Sequence, residues 1–253
     1  MALDTRTARR LRRLNLGVGA AHLAQAILMA TLSNDLAIPV VAAFLDNDPA
    51  VAFTGASEPT RLFGIPVGLT VALFLLFAAI DHLAVAAPRL HERYEAMLAE
   101  GRNTVRWIEY SVSASIMIVL IAGFVGVWDL AALLAIFGVN SAMILFGLLM
   151  ERQQRPGSAD WSAFWFGSLV GAVPWVIVSI YLFANVSQVP GFVLVIYAVE
   201  LVLFFSFALN MWLQFAQVGR WKDSITVERS YIWLSLGAKS LLAWLIFANV
   251  LRT

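Results

Sequence analysis

A chain of 253 residues that is 61% apolar and only 13% charged carries more greasy surface than one soluble core can hide, because soluble domains are roughly 45–50% apolar and about 25% charged. It has no cysteine, which removes disulfides, thiol chemistry and Cys-ligated metals, and its net charge of +1 matters less than how that charge is distributed. The long unbroken apolar runs exclude the alternating strands of a membrane β-barrel and predict helices, whose backbones satisfy their own hydrogen bonds in hydrocarbon.

In chain order, the N-terminus opens with Arg6, Arg9, Arg10, Arg12 and Arg13. We read this cluster as a topology signal and not as a nucleic-acid arm. A signal peptide is disfavoured because no small-residue cleavage site follows the next apolar run. Seven runs then approach the roughly 20 residues needed to cross a bilayer. They are placed near 14–33, 63–87, 104–126, 128–150, 161–184, 191–217 and 227–251. Pro88, Pro156-Gly157 and Pro190-Gly191 punctuate the divisions. Pro66 is tolerated at the start of the second span, whereas Pro174 lies inside the fifth and predicts a kink there.

An odd number of spans puts the chain ends on opposite sides. With the N-terminus inside, fourteen of the seventeen basic residues are cytoplasmic, Arg61 and Arg252 are outside, and Lys239 lies within a span. The asymmetry predicts a cytoplasmic N-terminus and an extracellular C-terminus, and the expected setting is a cell membrane of prokaryotic type. The expected architecture is an all-α seven-transmembrane helix bundle forming one domain over 1–253. Its first external connection, an insertion at about 34–62, is long enough to hold structure of its own, and the run Val51-Ala52-Phe53-Thr54 could be a short strand. No internal repeat supports a repeat-built transporter.

Function must reside in the ions that hydrocarbon rejects, each costing at least ~2.5–3.5 kcal/mol at mid-bilayer. Lys239 lies ten residues beyond Arg229, ~15 Å into the seventh span and too deep to snorkel. It either locks helices together in an ion pair or serves as a desolvated nucleophilic amine that condenses with an aldehyde. The other lysine, Lys222, is in a loop. Glu109 is the best counter-ion: a lysine arm leaning toward its helix N-terminus approaches it, although pairing with Arg106 or Arg102 is the alternative. Ser235 is one turn before Lys239 on the same face.

His22, Gln25 and His82, with Tyr110, are candidates for a polar, hydrated cavity able to receive a proton, or for plain interhelical hydrogen bonds. The third histidine, His91, sits in a loop, and no ligand cluster suggests a metal. Asp81 adjoins His82, and Glu200 stands alone in the sixth span. Phe164-Trp165-Phe166 and Phe204-Phe205-Ser206-Phe207 could wall a long flat ligand, with Ser113, Met117, Asn140 and Met143 lining the same cavity.

The stretches Glu109-Tyr110-Ser111, Leu133 to Gly147 with Asn140 and Met143, Phe164 to Gly167, Val189 to Phe192, Phe205 to Leu209, and Leu234 to Ser240 with Trp244 resemble heliorhodopsins. The similarity runs through essentially the whole chain, including the inside-first orientation. It implies all-trans retinal as a protonated Schiff base on Lys239, Glu109 as counter-ion, Ser235 as its neighbour, and His22, Gln25 and His82 around a hydrated cavity. It also implies a homodimer that acts as a slow-cycling photoreceptor and not as an enzyme. Asp81 and Glu200 depart from that pattern. Pumping is disfavoured because retinal pumps carry an acid where this chain has Ser235, and a donor carboxylate where it has Leu120. The expected function is light sensing through an unidentified cytoplasmic partner or the dimer mate. The alternatives are a light-driven or light-gated proton transporter and a retinal-free structural or solute-binding protein.

Overall fold

Asp4 starts the first helix early: its carboxylate accepts from the backbone N–H groups of Arg6 and Thr7, and α1 runs Thr5–Thr31. The arginine cluster is therefore the first turns of a helix and not a loop ahead of one. The cap is exposed, and the hydroxyl and then the amide of Thr7 hold the Asp4 carboxyl below its usual range. The computed structural model describes residues 4–45, 48 and 58–252. The proposed strand at Val51–Thr54 falls outside them.

The first connection does hold structure. Strand β1 (Ala37–Ala42) pairs antiparallel with β2 (Thr60–Pro66), Ile38 opposite Ile65 and Val40 opposite Phe63, with an irregularity between Val40 and Val41. Val40 and Ile38 are buried, which pins the ribbon onto the bundle. The β-branched run Ile38-Pro39-Val40-Val41 was a strand signal that the sequence reading passed over. The second span accordingly begins after the strand: α2 is Val67–Ala86.

Pro88 then opens a short helix, α3 (Pro88–Ala99), in what was expected to be a loop. It turns Tyr94 and Leu98 inward and its charged face outward. The remaining spans are α4 (Thr104–Phe124), α5 (Leu130–Gln153), α6 (Ser162–Ala184), α7 (Gly191–Phe215) and α8 (Ser224–Ile246), the last continuing as a π-helical turn over Phe247–Leu251. Helix α6 runs through Pro174 without interruption.

Seven of these helices are long and apolar enough to cross a membrane, as expected for a multi-pass membrane protein. They pack as a ring, α1 on α2, α2 on α4, α4 on α5, α5 on α6, α6 on α7 and α7 on α8, and α8 closes back on α1. Helix α4 also touches α6 and α7, so it is the most enclosed of the spans. Outward-facing Leu134, Leu169 and Val202 are exposed, as side chains solvated by lipid must be.

Candidate functional site

Lys239 and Glu109 meet in the centre of the ring. The lysine Nζ donates to both carboxylate oxygens of Glu109 at 3.0 Å and to Ser235 Oγ at 3.1 Å. Contact with Ser235 one turn earlier shows the arm leaning toward the start of α8, which is how it reaches an acid near the start of α4. All three residues are buried, at 3%, 8% and 1% exposure for Lys239, Glu109 and Ser235. Nζ also lies 4.7 Å from the centre of the Tyr110 ring, on its attractive face. The alternative pairings of Glu109 do not form: Arg102 pairs with Glu100, and Arg106 with Glu151 and Glu228.

From this ion pair an apolar cavity with about 120 Å³ of free volume extends between α4, α5, α6 and α7. Met117, Met143, Phe164, Phe204 and Phe207 line it, together with Trp107 and Tyr110. Close backbone approach keeps it shaped. A Cβ on Gly147 would stand 2.6 Å from the Trp107 ring, and one on Gly171 would strike the Met143 sulfur. The rings of Tyr110, Phe207, Tyr231 and Trp107 meet mostly edge to face along one wall. An aldehyde-derived polyene requires a single buried amine, a carboxylate opposite it and a slot walled by rings. The residues present fit that requirement.

Several expected members lie elsewhere. The Trp165 ring faces outward at 61% exposure and Phe166 at 57%, because only the Phe164 and Gly167 side of α6 turns inward. Asn140 is fully buried but donates to Ser115 Oγ at 3.0 Å and does not line the cavity. Gln25 accepts from Trp244 Nε1 at 3.1 Å on the outer side of α1 and is not joined to the histidines. Ser113 is fully buried, with no hydrogen-bond partner for its hydroxyl.

His22 and His82 stack with ring centres 5.8 Å apart and planes 8° from parallel. Both His22 ring nitrogens lack a partner, whereas His82 Nδ1 lies 2.8 Å from Asn15 Oδ1. Asp81 is buried with Oδ1 unpartnered, and it lies within electrostatic reach of Glu109, Lys239, Glu228 and Arg106. Glu200 is fully buried, and neither of its oxygens finds a hydrogen-bond partner.

The sequence reading missed a second polar centre. Arg106, expected at the cytoplasmic surface, is buried between the carboxylates of Glu151 and Glu228 and lies 3.9 Å from the centre of the Tyr231 ring. Asn103 caps α4 through its side-chain oxygen, donates its amide to Glu228 at 2.9 Å and its backbone N–H to Glu151 at 2.8 Å. Charges at helix ends usually face water, so Glu151 and Glu228 gave no sequence signal.

None of the curated proteins compared with the chain matches it. The family model for heliorhodopsin matches residues 11–251, nearly the whole sequence and every element of the site. The chain therefore belongs to the heliorhodopsin family, the retinal-binding, light-sensing membrane proteins whose likeness its motifs carry.

Proposed function

We propose that this chain is a photoreceptor in which retinal is held through Lys239, with Glu109 balancing the positive charge on that nitrogen. The supporting observation is the Lys239 amine held at 3.0 Å by both oxygens of one carboxylate, beside an apolar cavity walled by rings. When bound, all-trans retinal supplies visible absorption and a light-driven change of shape.

The chain's own residues do the rest. Glu109 stabilises the charged nitrogen in a site where an unpaired ion would be costly, and Ser235 fixes its direction. Trp107, Phe164, Phe204 and Phe207 exclude water from the slot. His22, whose two ring nitrogens have no hydrogen-bond partner, would be the group that takes a proton released from that nitrogen. The single carboxylate on Lys239 and the serine at 235 favour a proton that leaves and returns, and hence sensing. Signalling to a cytoplasmic partner, a homodimer and a cytoplasmic N-terminus in the cell membrane complete the reading; the first two rest on the family and the third on the charge pattern.

The test is retinal reconstitution of the purified protein with absorption spectra, alongside photocurrent recording in liposomes. Visible colour and a photocycle without current are expected; absence of colour overturns the reading. Light-driven or light-gated proton transport is the second reading, favoured by Asp81, a buried acid within electrostatic reach of the ion pair. A photocurrent lost in Asp81→Asn with colour retained would establish it.

A further inference from the structure

Away from the central site, a groove of about 610 Å³ opens between the second half of α7, the turn Gly219–Lys222 and the first half of α8. It lies at the end of the bundle that carries the N-terminus, since six spans separate that terminus from this turn. On α7 it is lined from Leu203 to Leu213, a separation of ten positions, or ~15 Å along the helix axis. It therefore runs from the headgroup level well into the hydrocarbon.

Most of its polar lining is already satisfied. Ser206 and Ser230 donate their hydroxyls to carbonyls of their own helices, Val202 and Thr226. Asn210 accepts from Trp221 Nε1 at 2.7 Å. Thr226 donates its hydroxyl to Asp223, whose oxygens also take the N–H groups of Ile225 and Thr226. The inner stretch is thus effectively apolar, walled by Leu203, Leu234 and the outward-facing Trp233.

Two guanidinium groups remain. Arg220 lies over the Trp221 ring at 4.8 Å, and Arg229 is half-buried in the groove wall. Among the described residues neither is paired with a carboxylate. The neighbouring Glu228 turns into the bundle, where Tyr94, Asn103 and Arg106 donate to it. The mouth therefore carries two planar cations outside any ion pair, and the turn that supplies Arg220 also holds Lys222 and the Asp223 carboxylate that caps α8. Guanidinium forks recognise phosphate oxygens, and basic clusters at the ends of membrane helices attract anionic headgroups.

We infer that this groove is a binding site for one anionic phospholipid, its phosphate held by Arg220 and Arg229 and an acyl chain laid along Leu203, Leu209 and Trp233. The apolar floor and its depth fit a lipid, and a soluble anion would leave them uncovered. The site shares none of its residues with the cavity at Lys239, so the inference stands apart from the retinal reading.

Native mass spectrometry of the full chain, released from micelles containing phosphatidylglycerol or phosphatidylcholine, tests it. The wild-type chain should retain one phosphatidylglycerol in preference to phosphatidylcholine. The double variant R220Q/R229Q should lose that preference by about tenfold or more. R152Q/R155Q, at the same end of the bundle, should retain it, and R220K/R229K should keep the preference for the anionic lipid with weaker retention. Circular dichroism of each variant verifies that the helices are intact; if R220Q/R229Q misfolds, R220K/R229K and the wild-type lipid preference decide. Equal retention in R220Q/R229Q and R152Q/R155Q overturns the proposal. So does indifference between the two lipids, displacement of the lipid by millimolar inorganic phosphate, or a second copy of the chain covering the groove without lipid.

Discussion

Tyr94, on the short helix outside the membrane spans, donates its hydroxyl to Glu228 at 2.9 Å and accepts from Asn15 at 3.2 Å. Through these two bonds the chain of contacts runs from His82 through Asn15, Tyr94 and Glu228 to Arg106 and Glu151. One end touches the histidine pair and the other a buried ion cluster beneath α3. A change of charge at His82 thus has a hydrogen-bonded connection to the surface helix, built from α1, α2, α3, α4, α5 and α8.

Breaking that cluster should unfold the basic end of the bundle. Arg106→Met leaves Glu151 and Glu228 as adjacent buried carboxylates, and losing one member of a buried pair costs about 3–5 kcal/mol. Thermal unfolding followed by circular dichroism should show a large fall in midpoint. A fall no larger than that of an exposed control such as Arg152→Gln would contradict the ion-cluster account.

Burial, and then the negative charge of Glu228, hold the Tyr94 hydroxyl above the usual tyrosine range. The folded chain therefore keeps this proton at a pH where the unfolded chain has released it. The stability this contributes is complete below the ordinary tyrosine value and is lost as pH rises above it toward the folded value. Unfolding midpoints measured through the alkaline range should decline less steeply in Tyr94→Phe than in wild type. Parallel curves would remove Tyr94 from the linkage.

Glu109→Gln leaves the Lys239 charge without its carboxylate. In retinal-loaded protein the absorption maximum should move to longer wavelength, and Lys239→Ala should give no visible band at all. Ser235→Ala removes the acceptor of one hydrogen bond donated by a charged nitrogen, of about 1.5–3 kcal/mol. It should lower the unfolding midpoint less than Glu109→Gln does. An unchanged spectrum in Glu109→Gln would exclude this acid as the counter-ion.

Gly147→Ala and Gly171→Ala should differ although each presses on a side chain that lines the same cavity, Trp107 and Met143 respectively. The first drives a methyl into the Trp107 ring, which is held by edge contacts with Tyr110 and Tyr231, while the second meets the flexible Met143 chain. Overpacking against a fixed ring costs about 1–3 kcal/mol, so Gly147→Ala should bind retinal slowly and unfold earlier. Equal retinal uptake rates in the two variants would show that Trp107 is free to yield.

The sequence by itself determined seven membrane helices, because apolar runs of spanning length admit no other solution in hydrocarbon, and most of their limits lie within a few residues of those observed. It also singled out Lys239, Glu109 and Ser235, since an ion so deep in an apolar run must have a partner and Ser235 shares its face one turn away. It did not separate Phe164 from Trp165 or Met143 from Asn140, because which side of an almost wholly apolar helix faces the bundle is set by its neighbours. Nor did it reveal that Arg106, Glu151 and Glu228 turn inward: a charge at a helix end satisfies local rules equally well in water. Only packing around the ring closed by α1 and α8 removes them from solvent and makes them bind one another. The strands at Ala37–Ala42 and Thr60–Pro66 followed the same logic, since each needed its distant partner and the bundle surface to bury Ile38 and Val40.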